Sequence, residues 1–326
     1  MPQDVSAASA QSPPPSRRRR WSLIGLGAIG AVVAVALWVA YLFQPGEVRD
    51  RTSRFLAHTP TSYVDTKAAR FHYLRRGQGP PVLLLHGGGE WLYSYRDMVT
   101  ALAGERTVIA VDLPGHGYTK VKDSGFGYDL QAMTDALAQF LDAVDVHQTA
   151  IIGHSWGGGI ALAFAQRFPD RVSDLVLLDS SGLNVPDTAQ WRLLKVPVLG
   201  EIMSKLVRRE DVRSGLEQSF ANSGHVTDEM VDEVWVPLTF RVNRRSQYML
   251  ERGLDWSQTE RAMPSTRTRT LVIWGREDRY LSVTHAERFR KLLPAAELVV
   301  LDGCGHSVHE ECPEQVNPLV LRFLRD

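Results

Sequence analysis

Cysteine is scarce in this chain: there are two in 326 residues, Cys304 and Cys312. That excludes a multi-bridge disulfide scaffold and leaves a thiolate metal site short of ligands. Charge of one sign is not in excess either. The 37 basic and 37 acidic side chains cancel, so no overall field recommends nucleic acid as a partner. Periodic internal repeats are missing, which excludes solenoids and propellers. The glycine triplet after His86 lacks the Gly-Lys-Ser/Thr continuation of a phosphate loop, and no cofactor is expected. What is present is ordinary globular material, 44% hydrophobic and 23% charged, enough for a core.

Residues 1–20 are rich in Ser, Ala, Gln and Pro and end in four arginines, a composition that reads as a disordered basic tail. Trp21 to Phe43 then runs without a charged residue. As a helix of about 23 residues it reaches about 34 Å, enough for a hydrocarbon core of about 30 Å. A cleavable signal peptide has a shorter apolar region and a small-residue cleavage site. Here Trp38, Tyr41 and Phe43 at the far end, with Trp21 at the near end, have the character of an interfacial belt, so a retained transmembrane anchor is expected. Four arginines before the span against Arg49, Arg51 and Arg54 after it favour a cytoplasmic N-terminus and an extracytoplasmic domain. Gly27 with Ala31, and Gly30 with Ala34, have a small-xxx-small spacing through which two spans could associate weakly.

Residues 44–62 read as a polar linker. From residue 63 strand and helix signals alternate. Short apolar runs at Val82–Leu85, Thr107–Val111, Ala150–Ile152 and Val172–Leu178 suit strands buried on both faces, and Tyr128–Val144 carries an amphipathic helical stripe. This pattern predicts a mostly parallel sheet covered by helices. The alternation fails over 181–264, which has helical patches and several aromatics, among them Trp191, Trp235, Phe240 and Trp256, and reads as an inserted helical cap. It resumes over 265–326, so 63–180 and 265–326 form the core.

At the centre stands Gly153-His-Ser-Trp-Gly157, an apolar run that breaks at a small-residue turn and continues as a helix. Gly153 and Gly157 bracket Ser155 in the spacing of a nucleophile elbow, where bulk would collide with the neighbouring strand or helix. A serine hydroxyl needs a base, and the base needs an acid to orient it. Asp278 and His306 both follow strands and complete the order serine, acid, histidine; Asp179, at another strand end, is the reserve acid.

Five motifs in register, HGGG at 86, DLPGHG at 112, GHSWGG at 153, IWGREDRYL at 273 and GCGHSVHEECPE at 303, make residues 63–326 resemble the α/β-hydrolase superfamily. The resemblance implies an eight-stranded, mostly parallel sheet with a cap over the site, Ser155 as nucleophile, His306 as base and Asp278 as its orienting acid. The tetrahedral intermediate needs two donors, for which the amides of Trp156 and Gly88 are the candidates, with Gly87 or Gly89 as substitutes for the latter. An acyl-enzyme hydrolase of an apolar ester, lactone or related carbonyl compound is expected. A carbon-carbon bond hydrolase is the nearest rival, although Gly89-Glu90-Trp91 departs from its pattern. A tethered ligand-binding protein on a hydrolase shell is the reading from another class. The segment Glu90–Arg96 resembles an epoxide-hydrolase loop, but serine attack on an epoxide gives an ether that water does not cleave.

Other residues carry plainer expectations. His86, His154 and His116 read as structural. His306 and His309 form H-x-x-H beside Glu310 and Glu311, yet the base role and a helix start use these residues better than a metal would. Arg241, Arg244 and Arg245 either meet a substrate carboxylate or stand in solvent. Cys304 and Cys312 are expected as two free small hydrophobes, unless export and a Cα approach within about 7 Å let them pair.

Overall fold

A computed structural model of the chain describes residues 17–48, 53–186 and 189–325, with side chains described from residue 29 onward and not at 189–191. The proposed tail through residue 16, Arg49, Arg51 and the side chains of residues 17–28 and of Trp191 lie outside what is described. The chain divides into two units, Met1–Phe43 and Gln44–Asp326.

The first unit is helix α1, Arg17–Leu42. From residue 29 its large apolar side chains, including Val32, Val35, Trp38 and Leu42, are exposed. Among the described residues no helix is long and apolar enough to cross a membrane, and the side chains of residues 21–28 of the expected span lie outside what is described.

In the second unit the stretch read as a linker carries structure of its own. Helix α2 (Arg54–His58) is capped by Ser53, whose hydroxyl donates to Glu233 at 2.6 Å, and Phe55 meets Trp91 and Tyr93 edge-on. Strands β1 (Ser62–Asp65) and β2 (Ala69–Arg76) lead in antiparallel; β3 (Pro81–Leu85), α3 (Arg96–Leu102) and β4 (Thr107–Val111) follow. A two-residue β5 (Lys120–Val121) pairs with β2. Next come α4 (Leu130–Ala143), β6 (Thr149–His154), α5 (Ser155–Arg167) and β7 (Val172–Leu178). The order across the sheet is β1-β2-β4-β3-β6-β7, then β8 (Arg269–Gly275) and β9 (Ala296–Leu301). That path has the expected eight strands, and the two-residue β5 makes a ninth. From β4 to β9 all pairings are parallel, so each connection crosses over through a helix.

Two apolar layers flank the sheet. One gathers Phe71, Met133, Phe140, Ile160 and Phe164 under α4 and α5; the other gathers Leu84, Met98, Ile152, Val316 and Val320 under α3 and the closing helix. Helix α4 forms because Asp129 caps it, accepting the Ala132 amide at 2.8 Å, and its periodic face of Met133, Leu137, Phe140 and Leu141 is buried.

Between β7 and β8 the described residues form only helices: α6 (Ala189–Leu194), α7 (Leu199–Leu206), α8 (Arg209–Ser219), α9 (Asp228–Leu238), α10 (Arg241–Gly253) and α11 (Ser257–Ala262), besides short 3-10 turns. Trp91 ties this cap to the core by donating from Nε1 to the Glu233 carbonyl at 2.9 Å. After β8 come α12 (Thr284–Leu292), β9, α13 (Val308–Glu311) and α14 (Pro313–Arg325).

Candidate active site

The elbow is built from its glycines. A side chain on Gly153 would put Cβ 2.4 Å from the Gly157 carbonyl oxygen, and one on Gly157 would put it 2.2 Å from that of Leu85. Both collisions are with backbone, which cannot swing aside. The turn holds Ser155 at φ 48°, a left-handed conformation costly for a side-chain-bearing residue. The serine opens α5 at the carboxyl end of β6, the edge where ligands bind in open α/β sheets.

Two other strand ends deliver partners. Ser155 Oγ lies 3.0 Å from His306 Nε2, and His306 Nδ1 lies 2.8 Å from Asp278 Oδ2. The second Asp278 oxygen accepts the amides of Tyr280 and Leu281 at 2.8 and 2.9 Å, so the carboxylate is fixed by the loop that bears it. With Nδ1–H donating to the carboxylate, Nε2 presents its lone pair to the hydroxyl. The reserve acid Asp179 stands apart from this chain: one oxygen accepts the Gly275 amide at 2.8 Å and the other has no partner. Burial, and then the nearby Asp278, push its carboxyl well above the usual range.

Gly88 and Trp156 both face the cavity beside Ser155, and a Cβ on Gly88 would meet the Trp156 ring at 2.6 Å. Gly87 is removed as an alternative donor because its amide is spent on Glu90 Oε2 at 3.0 Å.

The plainer histidines keep structural roles. His86 Nε2 accepts the Leu113 amide at 3.0 Å, and its Nδ1–H reaches the Gly87 carbonyl at 2.8 Å. Burial lowers its pKa and drives that of His116 down to about 3, so neither ring carries charge at neutral pH. Asp112 of the DLPGHG motif accepts the Leu92 and Tyr118 amides, both at 2.8 Å, and braces the loop.

The H-x-x-H segment separates as a ligand set. His306 faces Ser155, Glu310 pairs with Arg96, and Glu311 accepts the amides of Ala221, Asn222 and Gly305. A different trio, Glu90, His154 and His309, has ligand atoms within 4.8 Å of one another. In it both His154 nitrogens are engaged, Nδ1 with Glu90 and Nε2 with the His306 carbonyl. Sequence reasoning missed the Glu90–His154 contact, because nothing local signals a pairing across 64 positions.

The cavity above Ser155 has a volume of about 580 Å³. Its wall is more apolar than polar, with Val185, Val212, Leu216, Val234, Leu238 and Leu254; of the cap aromatics whose side chains are described, only Trp256 contributes. The three arginines do not line it. Arg244 is buried, donates to the Leu238 and Lys205 carbonyls and covers the Trp235 ring, while Arg241 and Arg245 are exposed on the cap. The wall's lysine, Lys195, pairs with Glu251 at 3.7 Å. Cys304 and Cys312, expected as free, form a disulfide with Cα atoms 6.2 Å apart, and it brackets the segment bearing His306.

Together with this fold and site, a family model described as alpha/beta hydrolase fold matches residues 80–313. The chain belongs to the α/β-hydrolase family. It is 26% identical over 283 residues to a cis-3-alkyl-4-alkyloxetan-2-one decarboxylase of Shewanella oneidensis, covering 81% of this chain and 88% of that one. It is 25% identical over 284 residues to a 2-hydroxy-6-oxo-6-phenylhexa-2,4-dienoate hydrolase of Comamonas testosteroni, covering 84% and 96%. Among solved structures, a membrane phospholipase A described as a bacterial virulence factor is similar with a TM-score of 0.70 and 25% identity, over 95% of this chain and 98% of that one.

Proposed function

We propose that this chain is a serine hydrolase that cleaves esters of apolar acyl groups through an acyl-enzyme. In this reading it is tethered to a membrane by residues 21–43, with its catalytic body on the extracytoplasmic side. The observation that carries the reading is the unbroken line from Asp278 through His306 to Ser155, with the serine hydroxyl presented at the foot of a largely apolar cavity.

The chemistry follows from these positions. His306 Nε2 takes the Ser155 proton as Oγ attacks the ester carbon, and Asp278 stabilises the imidazolium that results. The amides of Gly88 and Trp156 receive the charge that develops on the carbonyl oxygen. Collapse breaks the bond to the alkoxy group, which leaves with the proton from His306. Water, deprotonated by the same ring, then attacks the acyl carbon and returns Ser155.

The cavity discriminates among substrates. A dienoate brings a carboxylate, which needs a partner when desolvated. No arginine lines the wall among the described residues, and Lys195 is already paired with Glu251, so a neutral ester or lactone fits better. The likeness to the membrane phospholipase A spans 95% of this chain and so extends into the N-terminal arm, in keeping with an apolar substrate met at a membrane. The exposed apolar face of α1 supports the tether, and the disulfide supports an oxidising compartment.

Labelling with a fluorophosphonate tests the mechanism: the parent should react, and Ser155→Ala and His306→Ala should not. Labelling that survives both substitutions rules the mechanism out. A panel of p-nitrophenyl esters of increasing chain length, beside a vinylogous diketone, tests the substrate class; faster cleavage of the diketone would favour the carbon-carbon hydrolase.

A further inference from the structure

The mechanism above uses three side chains and leaves unexplained a carboxylate-imidazole pair set directly behind them. Glu90 Oε2 lies 3.2 Å from His154 Nδ1 and also accepts the Gly87 amide at 3.0 Å. His154 Nε2–H donates to the carbonyl of His306 at 2.9 Å. The His154 ring lies 4.9 Å from that of His306 and 4.6 Å from that of His309. His154 is wholly buried, and so is the Tyr95 ring, which lies 4.8 Å from that of His309.

Three segments remote in sequence therefore meet on two side chains: the glycine loop after β3, the residue just before Ser155, and the backbone of the base. Resting on the acyl-enzyme reading, we propose that Glu90 and His154 are positioning residues that hold the Gly88 amide and the His306 ring in register with the Ser155 hydroxyl. Glu90 lines the cavity but hydrogen-bonds neither Ser155 Oγ nor the His306 ring, and His154 bonds His306 only at its backbone, so both act through the loops they join.

The contacts suit a charged pair, in which Glu90 is ionised. For His154 to donate from both nitrogens its ring must be protonated, and a buried imidazolium needs a counter-charge, which Glu90 supplies. Burial opposes ionisation of both groups, yet their attraction outweighs it, holding Glu90 below its usual range and His154 above. Around them, burial and then the His154 charge keep His309 neutral, His86 is neutral, and Glu310 is matched by Arg96.

Glu90→Gln preserves shape and removes the counter-charge. His154 then falls back to one N–H: either Nε2 gives up the His306 carbonyl, or the glutamine NH2 turns to Nδ1 and the Gly87 amide loses its acceptor, so a loop is released in either case. Displacement of a reacting geometry by about 1 Å costs on the order of 100-fold. The expected result is a fall in kcat on a p-nitrophenyl ester of about 10- to 100-fold, with KM within about threefold and an equal fall in the rate of fluorophosphonate labelling. His154→Gln should lose about as much, and the double variant no more than the worse single one, because the two act as a unit. Hydrogen exchange measured by mass spectrometry should quicken in 86–91 and 303–309 and stay unchanged in α14.

Near-parental kcat with unchanged exchange in those loops, or losses that simply add in the double variant, overturns the proposal. The acyl-enzyme reading fails separately, by absence of labelling at Ser155 in the parent. In that event the exchange of the two loops still decides whether this pair holds them.

Discussion

Asp179 and Asp278 end neighbouring stretches of the same sheet edge, yet their environments assign them opposite states. Asp278 is saturated by two amides and His306. Asp179 has one amide and an oxygen without a partner, and burial followed by repulsion from Asp278 raises its pKa well above the usual value. A folded-state carboxyl that stays protonated costs stability once the unfolded chain ionises, so the penalty grows as pH rises above the unfolded value. An Asp179→Asn variant escapes that penalty, and its side-chain carbonyl still accepts the Gly275 amide. The variant should therefore gain on the parent as pH rises from about 4 toward 7, by up to about 1.4 kcal/mol per pH unit. Denaturation at three pH values measures this, and a difference independent of pH would mean that Asp179 is ionised in the fold. Both aspartates were visible in the sequence as strand-end acids. Which one meets the histidine depends on the loop after β8, whose path no residue spacing encodes. The Glu90–His154 pair was invisible for the same reason, since a histidine beside the nucleophile looks local until the fold brings Glu90 to it.

At the scale of elements, the elbow was legible because its requirement is steric and local. Gly157 is where α5 leans on β3, and the 2.2 Å approach of a Cβ to the Leu85 carbonyl leaves no rotamer as an escape. Gly157→Ala should cost about 3 kcal/mol, whereas Gly104→Ala, where a Cβ meets nothing within 4 Å, should change little. Thermal melts of the two, side by side, check the contrast. The cap was less legible. Its helices are broken at Pro197-Val198, where Val198 takes φ 66°, and at Phe240, an extended N-cap, and neither break interrupts the apolar periodicity. The disulfide was legible only as a condition, because pairing depends on how the loop between β9 and α13 folds back. It closes a short loop that carries His306, and Cys304→Ser with Cys312→Ser should cost about 2 to 3 kcal/mol. A thermal midpoint lower by about 5 °C or more would report it. An unchanged midpoint would mean that the loop is held by other contacts, such as those of Glu311 with Gly305 and Ala221.

For the whole molecule, two observations far apart in sequence bear on where the catalytic body works. The first unit exposes Val32, Val35, Trp38 and Leu42 along one helix, a density of apolar surface that water does not tolerate in a lone helix. The second unit contains a disulfide, which a reducing cytosol would not maintain. The proposed tether, a helix held in lipid with the body on the far side, would account for both. The arginine bias that favours this orientation is four against three, and Arg49 and Arg51 lie outside the described residues. The disulfide is thus an independent line toward the same orientation. Expressed in a bacterium, the full chain should sediment with membranes, resist a high-salt wash and dissolve in detergent. Protease added to spheroplasts should then digest the catalytic body while a cytoplasmic marker survives. Alkylation of the denatured, unreduced protein should leave Cys304 and Cys312 unmodified. Protection of the body in spheroplasts together with two alkylated cysteines would reverse the orientation, and release of the full chain by salt would remove the tether, in either case without touching the geometry that joins Ser155 to His306.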